Sequence, residues 1–178
     1  MNGNRYGELL APDTVRFQRI LPGNLDTVWR YLVDGEKRRK WLAGGHTEER
    51  VGGRVELLFH NNSLSTLPDD PPPEKYRDMP EQMTYTGEVT ACEPKTLLRH
   101  TWLGDDGENS EVTYELEQRD DGVLLTLTHR RLGADMITGV LGGWHTHLDI
   151  LEDVLSDREP KPFWRTHTAL EAEYEGRI

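Results

Sequence analysis

The chain has 178 residues, of which 35% are hydrophobic and 30% charged, and its net charge is −11. This length suits one domain with a sizeable core. The acidic surface repels phosphate backbones, so no nucleic-acid partner is expected. The short apolar runs and the polar N-terminus predict neither a membrane span nor a signal peptide. A single cysteine, Cys92, excludes an internal disulfide, and we expect a cytoplasmic protein.

The chain begins its periodic part with a predicted strand and a predicted helix. Residues 14–20 alternate apolar and polar side chains, as in a strand with one buried face. The Pro-Gly-Asn sequence at 22–24 ends this strand. Apolar residues over 25–33 then recur at three- and four-residue spacing, which predicts a helix capped by Asn24 or Asp26.

A short basic segment, residues 36–40, follows this helix. We interpret it as the solvated face of a second short helix that ends at Trp41 and Leu42. The next predicted strand is residues 54–60, and its alternation turns Val55, Leu57 and Phe59 to one side.

Residues 61–80 predict a long insert loop, because they are rich in Asn, Ser, Asp and Pro, and consecutive prolines cannot donate to a sheet. Four alternating segments then indicate strands over 83–92, 97–103, 111–118 and 123–130. The Asp-Asp-Gly turn at 120–122 predicts a hairpin, and short turns imply an antiparallel sheet. The predicted inner face of these strands includes Tyr85, His100, Trp102, Tyr114 and His129.

Two helices are predicted at the C-terminal end. The long one covers residues 134–155 and presents Trp144 and Leu148 on one stripe; its glycine pair at 142–143 suits a bend or close approach to the sheet. The short final one, residues 163–174, cannot bury its apolar stripe alone. It folds back on the domain or packs on a second subunit, and we favour a homodimer contact. The expected division is a domain over 1–158 and a helical extension over 159–178.

Several short motifs in this order sharpen the assignment. They are Val28-Trp29, Trp41, Gly52-Gly53-Arg54-Val55, Tyr85-Thr86-Gly87-Glu88-Val89, Glu93-Pro94, Trp102 and Gly143-Trp144. Over residues 14–155 the chain resembles the family named for activators of the Hsp90 chaperone ATPase, in the START-like (SRPBCC) superfamily. The resemblance implies an α+β helix-grip (Bet v-like) fold, in which a curved antiparallel sheet wraps around the long C-terminal helix.

Such a fold encloses a cavity between the sheet and the long helix. The residues expected to line it are Trp41, Phe59, Tyr85, His100, Trp102, Tyr114, His129, Trp144 and Leu148. Aromatic walls with a few polar tips suit a small hydrophobic or aromatic ligand. The competing interpretation of each residue is plain core packing. Two other functions stay open: a cyclase- or hydrolase-type enzyme using a cavity His or Tyr, and a chaperone-associated interaction protein.

The histidines and the cysteine do not form a recognisable metal or nucleophile motif. His145 and His147 are two residues apart on a helix and point in different directions, so they cannot chelate one ion. His100 and His129 are expected to share a sheet face with a strand between them. Cys92 is interpreted as a packing residue. No metal, cofactor or catalytic residue is predicted.

Overall fold

The computed structural model of the protein describes residues 4–103 and 109–178. The strands are β1 (Glu8–Ala11), β2 (Thr14–Leu21), β3 (Arg54–Phe59), β4 (Met83–Glu93), β5 (Leu97–Leu103), β6 (Asn109–Arg119) and β7 (Gly122–Arg130). The helices are α1 (Leu25–Val33), α2 (Gly35–Arg38), α3 (Ile137–Leu155) and α4 (Phe163–Glu175). The strands form one antiparallel sheet in the order β1-β2-β7-β6-β5-β4-β3. This confirms the predicted α+β helix-grip fold.

The alternation in the sequence correctly identified the inner face of the sheet. Val55, Leu57 and Phe59 are buried on β3, as are Val123, Leu125, Leu127 and His129 on β7. Strand β1 was missed, because it pairs with β2 through its backbone while its leucines, Leu9 and Leu10, stay exposed. A strand that buries neither face carries no period-two signal.

Local geometry bends and connects the strands. The predicted hairpin is present: Asp120 and Asp121 form the turn, and Gly122 has a φ of 143°, which favours glycine. The register of β4 and β5 shifts between Val89 and Ala91, and a bulge of this kind increases the local bend of a sheet. Gly87 on β4 lies close to Thr101 on the neighbouring strand β5. A Cβ at position 87 would lie 1.9 Å from the Thr101 carbonyl oxygen, so this close strand contact requires glycine.

Helix α1 begins as predicted, because the Asn24 side chain accepts a hydrogen bond from the Thr27 amide. The interpretation of residues 36–40 as wholly solvated is wrong at one position. Arg38 is only 3% exposed and donates to the carbonyls of Leu32, Ala43, Gly44, Gly45 and Glu56 and to the Thr47 hydroxyl. A guanidinium carries five donors in a fixed fork, which suits the fastening of a loop to a sheet.

Helix α4 folds back on its own chain, where it packs along α3. Phe163, His167 and Tyr174 of the predicted stripe are buried, and Leu170 lies at its margin. Of the two alternatives for this stripe, folding back on the domain is the one observed, and the favoured homodimer contact stays a prediction. Gly142 permits this contact, since a Cβ there would lie 3.3 Å from the Glu171 Cα; its close neighbour is α4 and not the sheet.

The insert loop, residues 61–80, contains two short 3₁₀ turns and lies against α4. Asp69 accepts from the amides of Trp164 (2.8 Å) and Arg165 (2.9 Å), and so caps a helix whose own preceding residue, Pro162, provides no side-chain cap. The Trp164 indole donates to Asn62 at 2.9 Å. Loop and helix thus form one wall of the molecule. Within the described ranges, no helix is long and apolar enough to cross a bilayer.

Candidate functional site

A cavity of about 640 Å³ lies between the sheet, α3, α4 and the insert loop. This size falls within the range of small-molecule sites, about 300–1,000 Å³. Its apolar and aromatic lining consists of Leu42, Phe59, Met79, Met83, Tyr85, Trp102, Leu132, Met136, Val140, Trp144, Phe163 and Trp164. The polar lining residues are Asn61, Lys75, Tyr76, Ser110, His129, Asp135, His147, His167 and Glu171, and Gly139 and Gly143 complete the wall.

Five of the nine predicted site residues line this cavity. They are Phe59, Tyr85, Trp102, His129 and Trp144. Trp102 lies at their centre, with its ring 5.6 Å from those of Phe59 and His129 and 5.7 Å from that of Trp144. Whether these residues bind a ligand stays a prediction.

The other four predicted residues do not line the cavity. Trp41 is fully buried, with its indole donating to the Tyr31 carbonyl at 2.8 Å, and His100 donates through Nδ1 to the Thr101 carbonyl. Tyr114 and Leu148 are buried core residues. The strand residues that line the cavity all lie at one end of the sheet. The other four residues are packed in the protein core away from that end. Alternation identifies a face of a sheet but not a position along it.

A chain of hydrogen bonds fixes His129 in the cavity wall. The Trp144 indole donates to Nδ1 of His129 at 3.0 Å, so the proton of the neutral ring is on Nε2. Nε2 then donates to the Ser110 hydroxyl at 2.8 Å, and that hydroxyl donates to the Trp102 carbonyl at 3.2 Å. Burial lowers the pKa of His129 to about 3, so the ring stays neutral near pH 7.

His147 faces the cavity from α3 with a different arrangement. Its Nδ1 donates to the Trp41 carbonyl at 2.7 Å, and burial lowers its pKa to about 4. The neutral ring therefore carries a lone pair on Nε2. His145 points elsewhere, with its Nδ1 2.7 Å from the Tyr174 hydroxyl. The predicted divergence of these two histidines is confirmed.

A polar group at the boundary between the insert loop and α4 was not predicted from the sequence. Glu171 is buried; it is paired with Lys75 and accepts a hydrogen bond from the Tyr76 hydroxyl at 3.1 Å. The hydrogen bond that the Lys75 ammonium itself donates to Glu171 raises the pKa of Lys75. His167 lies one turn before Glu171, and its buried Nδ1 has no hydrogen-bond partner, 3.6 Å from the carboxylate.

These residues could not be found from periodicity. Lys75 and Tyr76 lie in a proline-rich loop without any repeating pattern. His167 and Glu171 are four residues apart on α4, a spacing that places them on one face, but the sequence did not indicate that the insert loop covers this face. Among the described residues, no group of three or more His, Cys, Asp or Glu side chains is arranged to hold a metal ion.

The comparisons with known proteins agree with this architecture. A family model described as "Activator of Hsp90 ATPase homolog 1-like protein" matches residues 23–156. A protein of Bordetella parapertussis with a solution NMR structure is 36% identical, with 97% of this chain and 90% of that chain covered and a TM-score of 0.78.

More distant structures share the fold. CalU16 from Micromonospora echinospora is 20% identical, with 96% and 93% of the two chains covered and a TM-score of 0.66. A conserved protein of unknown function from Enterococcus faecalis is 17% identical, with 97% and 91% covered and a TM-score of 0.63. A search of curated proteins gave no match.

Proposed function

The chain belongs to the family of activator of Hsp90 ATPase homolog 1-like proteins, and from this premise we propose that it binds a small hydrophobic or aromatic molecule. The proposed site is the cavity between the sheet, α3, α4 and the insert loop. The observation that carries the proposal is the aromatic wall formed by Phe59, Tyr85, Trp102 and Trp144 around a space of about 640 Å³. The physiological role of such binding is a separate question.

The size of the space is what favours binding over simple core packing. Protein interiors are close-packed, and voids larger than a water molecule are few. The inner face of the sheet around His100 and Tyr114 is buried in the packed core. The end of the sheet near Trp102 instead borders the cavity. Large aromatic side chains facing a space of this kind lose packing contacts that an apolar ligand would restore.

The enzyme alternative has a specific obstacle at the pair formed by Ser110 and His129 in the cavity wall. A general base must accept the proton of the nucleophile. Nε2 of His129 instead carries a proton, because Nδ1 is occupied by the Trp144 indole, and Ser110 already donates to a carbonyl. This pair is arranged to hold the wall together. The chaperone-associated alternative rests on the name of the family.

Trp102→Ala should weaken the binding of an aromatic ligand by at least about tenfold, because it removes the central ring of the wall. Native mass spectrometry of the gently purified protein, followed by a tryptophan-fluorescence screen with apolar and aromatic compounds, would identify a ligand for this measurement. Trp29→Phe is the control: Trp29 bonds Glu49 outside the cavity, so affinity should be retained. Unchanged affinity in folded Trp102→Ala protein would count against the proposed site.

A further inference from the structure

One atom in the cavity wall restricts the chemistry of the ligand, namely Nε2 of His147. The ring is held in a fixed orientation, because Nδ1 donates to the Trp41 carbonyl at 2.7 Å. It also packs between Phe163 and Phe59, with ring centroids 5.1 and 6.0 Å away. The donating nitrogen thus faces the protein core, and the remaining nitrogen has only a lone pair to offer.

Among the described residues, the hydrogen bond of the His147 ring is the one that Nδ1 makes, and Nε2 is left without a protein partner. The side chain as a whole is 6% exposed and lines the cavity. His129 in the same wall differs because both of its ring nitrogens are bonded. His167, the third histidine in the part of the lining that the structure describes, has its unpartnered Nδ1 only 3.6 Å from the Glu171 carboxylate. His147 therefore presents an oriented, unused acceptor next to aromatic surface.

The charges around the cavity point in the same direction. Among the described lining residues, the acidic ones are Asp135 and Glu171, and the basic one, Lys75, is already paired with Glu171. A ligand carboxylate would place its negative charge against the lone pair of Nε2, with no hydrogen-bond donor at that position to offset the repulsion. A wholly apolar ligand would cover the same lone pair and leave it unsatisfied, which costs free energy.

We infer that the ligand is a neutral aromatic alcohol or phenol whose hydroxyl donates a hydrogen bond to Nε2 of His147. This inference rests on the proposed function, since it concerns the same cavity. The ring system lies against Trp102 and Phe59, and the hydroxyl satisfies the acceptor that the protein leaves open. Hydroxyl recognition by a buried acceptor gives selectivity that apolar contact alone does not provide.

Three matched probes test this inference by isothermal titration calorimetry near pH 7: 2-naphthol, 2-methoxynaphthalene and 2-naphthoate. They share one ring system and differ in whether they present a neutral donor, an acceptor or an anion. We expect the wild-type protein to bind 2-naphthol about five- to tenfold more tightly than the methyl ether, the range of one hydrogen bond. The carboxylate should bind most weakly.

His147→Asn is the matching variant. An asparagine side-chain NH₂ can replace the Nδ1 donor toward the Trp41 carbonyl, while the acceptor at the Nε2 position is removed. In this variant the affinities for 2-naphthol and 2-methoxynaphthalene should become nearly equal. His46→Asn, at an exposed position, is the control and should keep the wild-type ratio.

The outcomes separate the inference from the proposed function. Equal saturable binding of 2-naphthol and its methyl ether to the wild-type protein would overturn the inference and leave the binding function standing. The inference would likewise be overturned by tightest binding of the carboxylate, or by a folded His147→Asn variant that keeps the preference for the alcohol. Saturation by none of the three probes would contradict the proposed function, and the inference with it.

Discussion

Arg38→Ala is expected to lower the free energy of unfolding by about 3–4 kcal/mol, because it removes the donor of several buried hydrogen bonds at once. Five carbonyl groups and the Thr47 hydroxyl receive these bonds, and the acceptors at 43–45 and Glu56 join the segment after α2 to β3. Burial also lowers the pKa of the guanidinium, although it stays protonated. Urea unfolding followed by circular dichroism measures the change.

The neighbouring residue provides a matched control for this prediction. Arg39 has a 65% exposed side chain that pairs with Glu36 on the helix surface, so Arg39→Ala should leave the unfolding midpoint almost unchanged. Similar stability losses for the two variants would mean that the buried hydrogen bonds of Arg38 contribute little.

Acidification from pH 7 to pH 5.5 is expected to lower the free energy of unfolding by about 4 kcal/mol, about 1 kcal/mol from each of four buried histidines. Desolvation by burial lowers the pKa of His100, His145 and His147 to about 4 and that of His129 to about 3. It also lowers the pKa of His167, which adds to the loss. The unfolded chain binds protons at these rings near pH 6.5, whereas the folded chain does not. The contribution of these neutral histidines to stability is therefore fully present above about pH 6.5 and is lost as the pH falls towards 4.

Denaturant titrations at the two pH values measure this loss, and two variants test its origin. His100→Gln removes one of these groups and should reduce the pH-dependent loss by about 1 kcal/mol. His46→Gln removes an exposed histidine and should leave the loss unchanged. If wild-type stability is the same at pH 7 and pH 5.5, the buried histidines are not held neutral.

The sheet could be predicted from the sequence because burial of one face imposes a period of two, as in Val123, Leu125 and Leu127. Where burial is absent the signal disappears, and β1, with its exposed Leu9 and Leu10, was missed for that reason. The family resemblance supplied the helix-grip arrangement, which the family match over residues 23–156 confirms.

The site was predictable only in part, because cavity position depends on tertiary packing. The pattern placed Trp102 and His100 on the same face, but only Trp102 reaches the end of the sheet where the space remains. Lys75 lies far from Glu171 in the sequence and meets it only because the insert loop packs on α4. Arg38 looked like one charge in a solvated run, since its carbonyl partners come from the folded loop and β3.

The most direct test of ligand binding in this cavity is a titration of ¹⁵N-labelled protein with 2-naphthol, followed through the indole N–H signals of its five tryptophans. Trp102, Trp144 and Trp164 line the cavity, whereas the indoles of Trp29 and Trp41 bond Glu49 and the Tyr31 carbonyl. Binding in the cavity predicts saturable shifts of the first three signals and much smaller changes in the other two. Absence of any saturable shift, or shifts confined to Trp29 and Trp41, would contradict it.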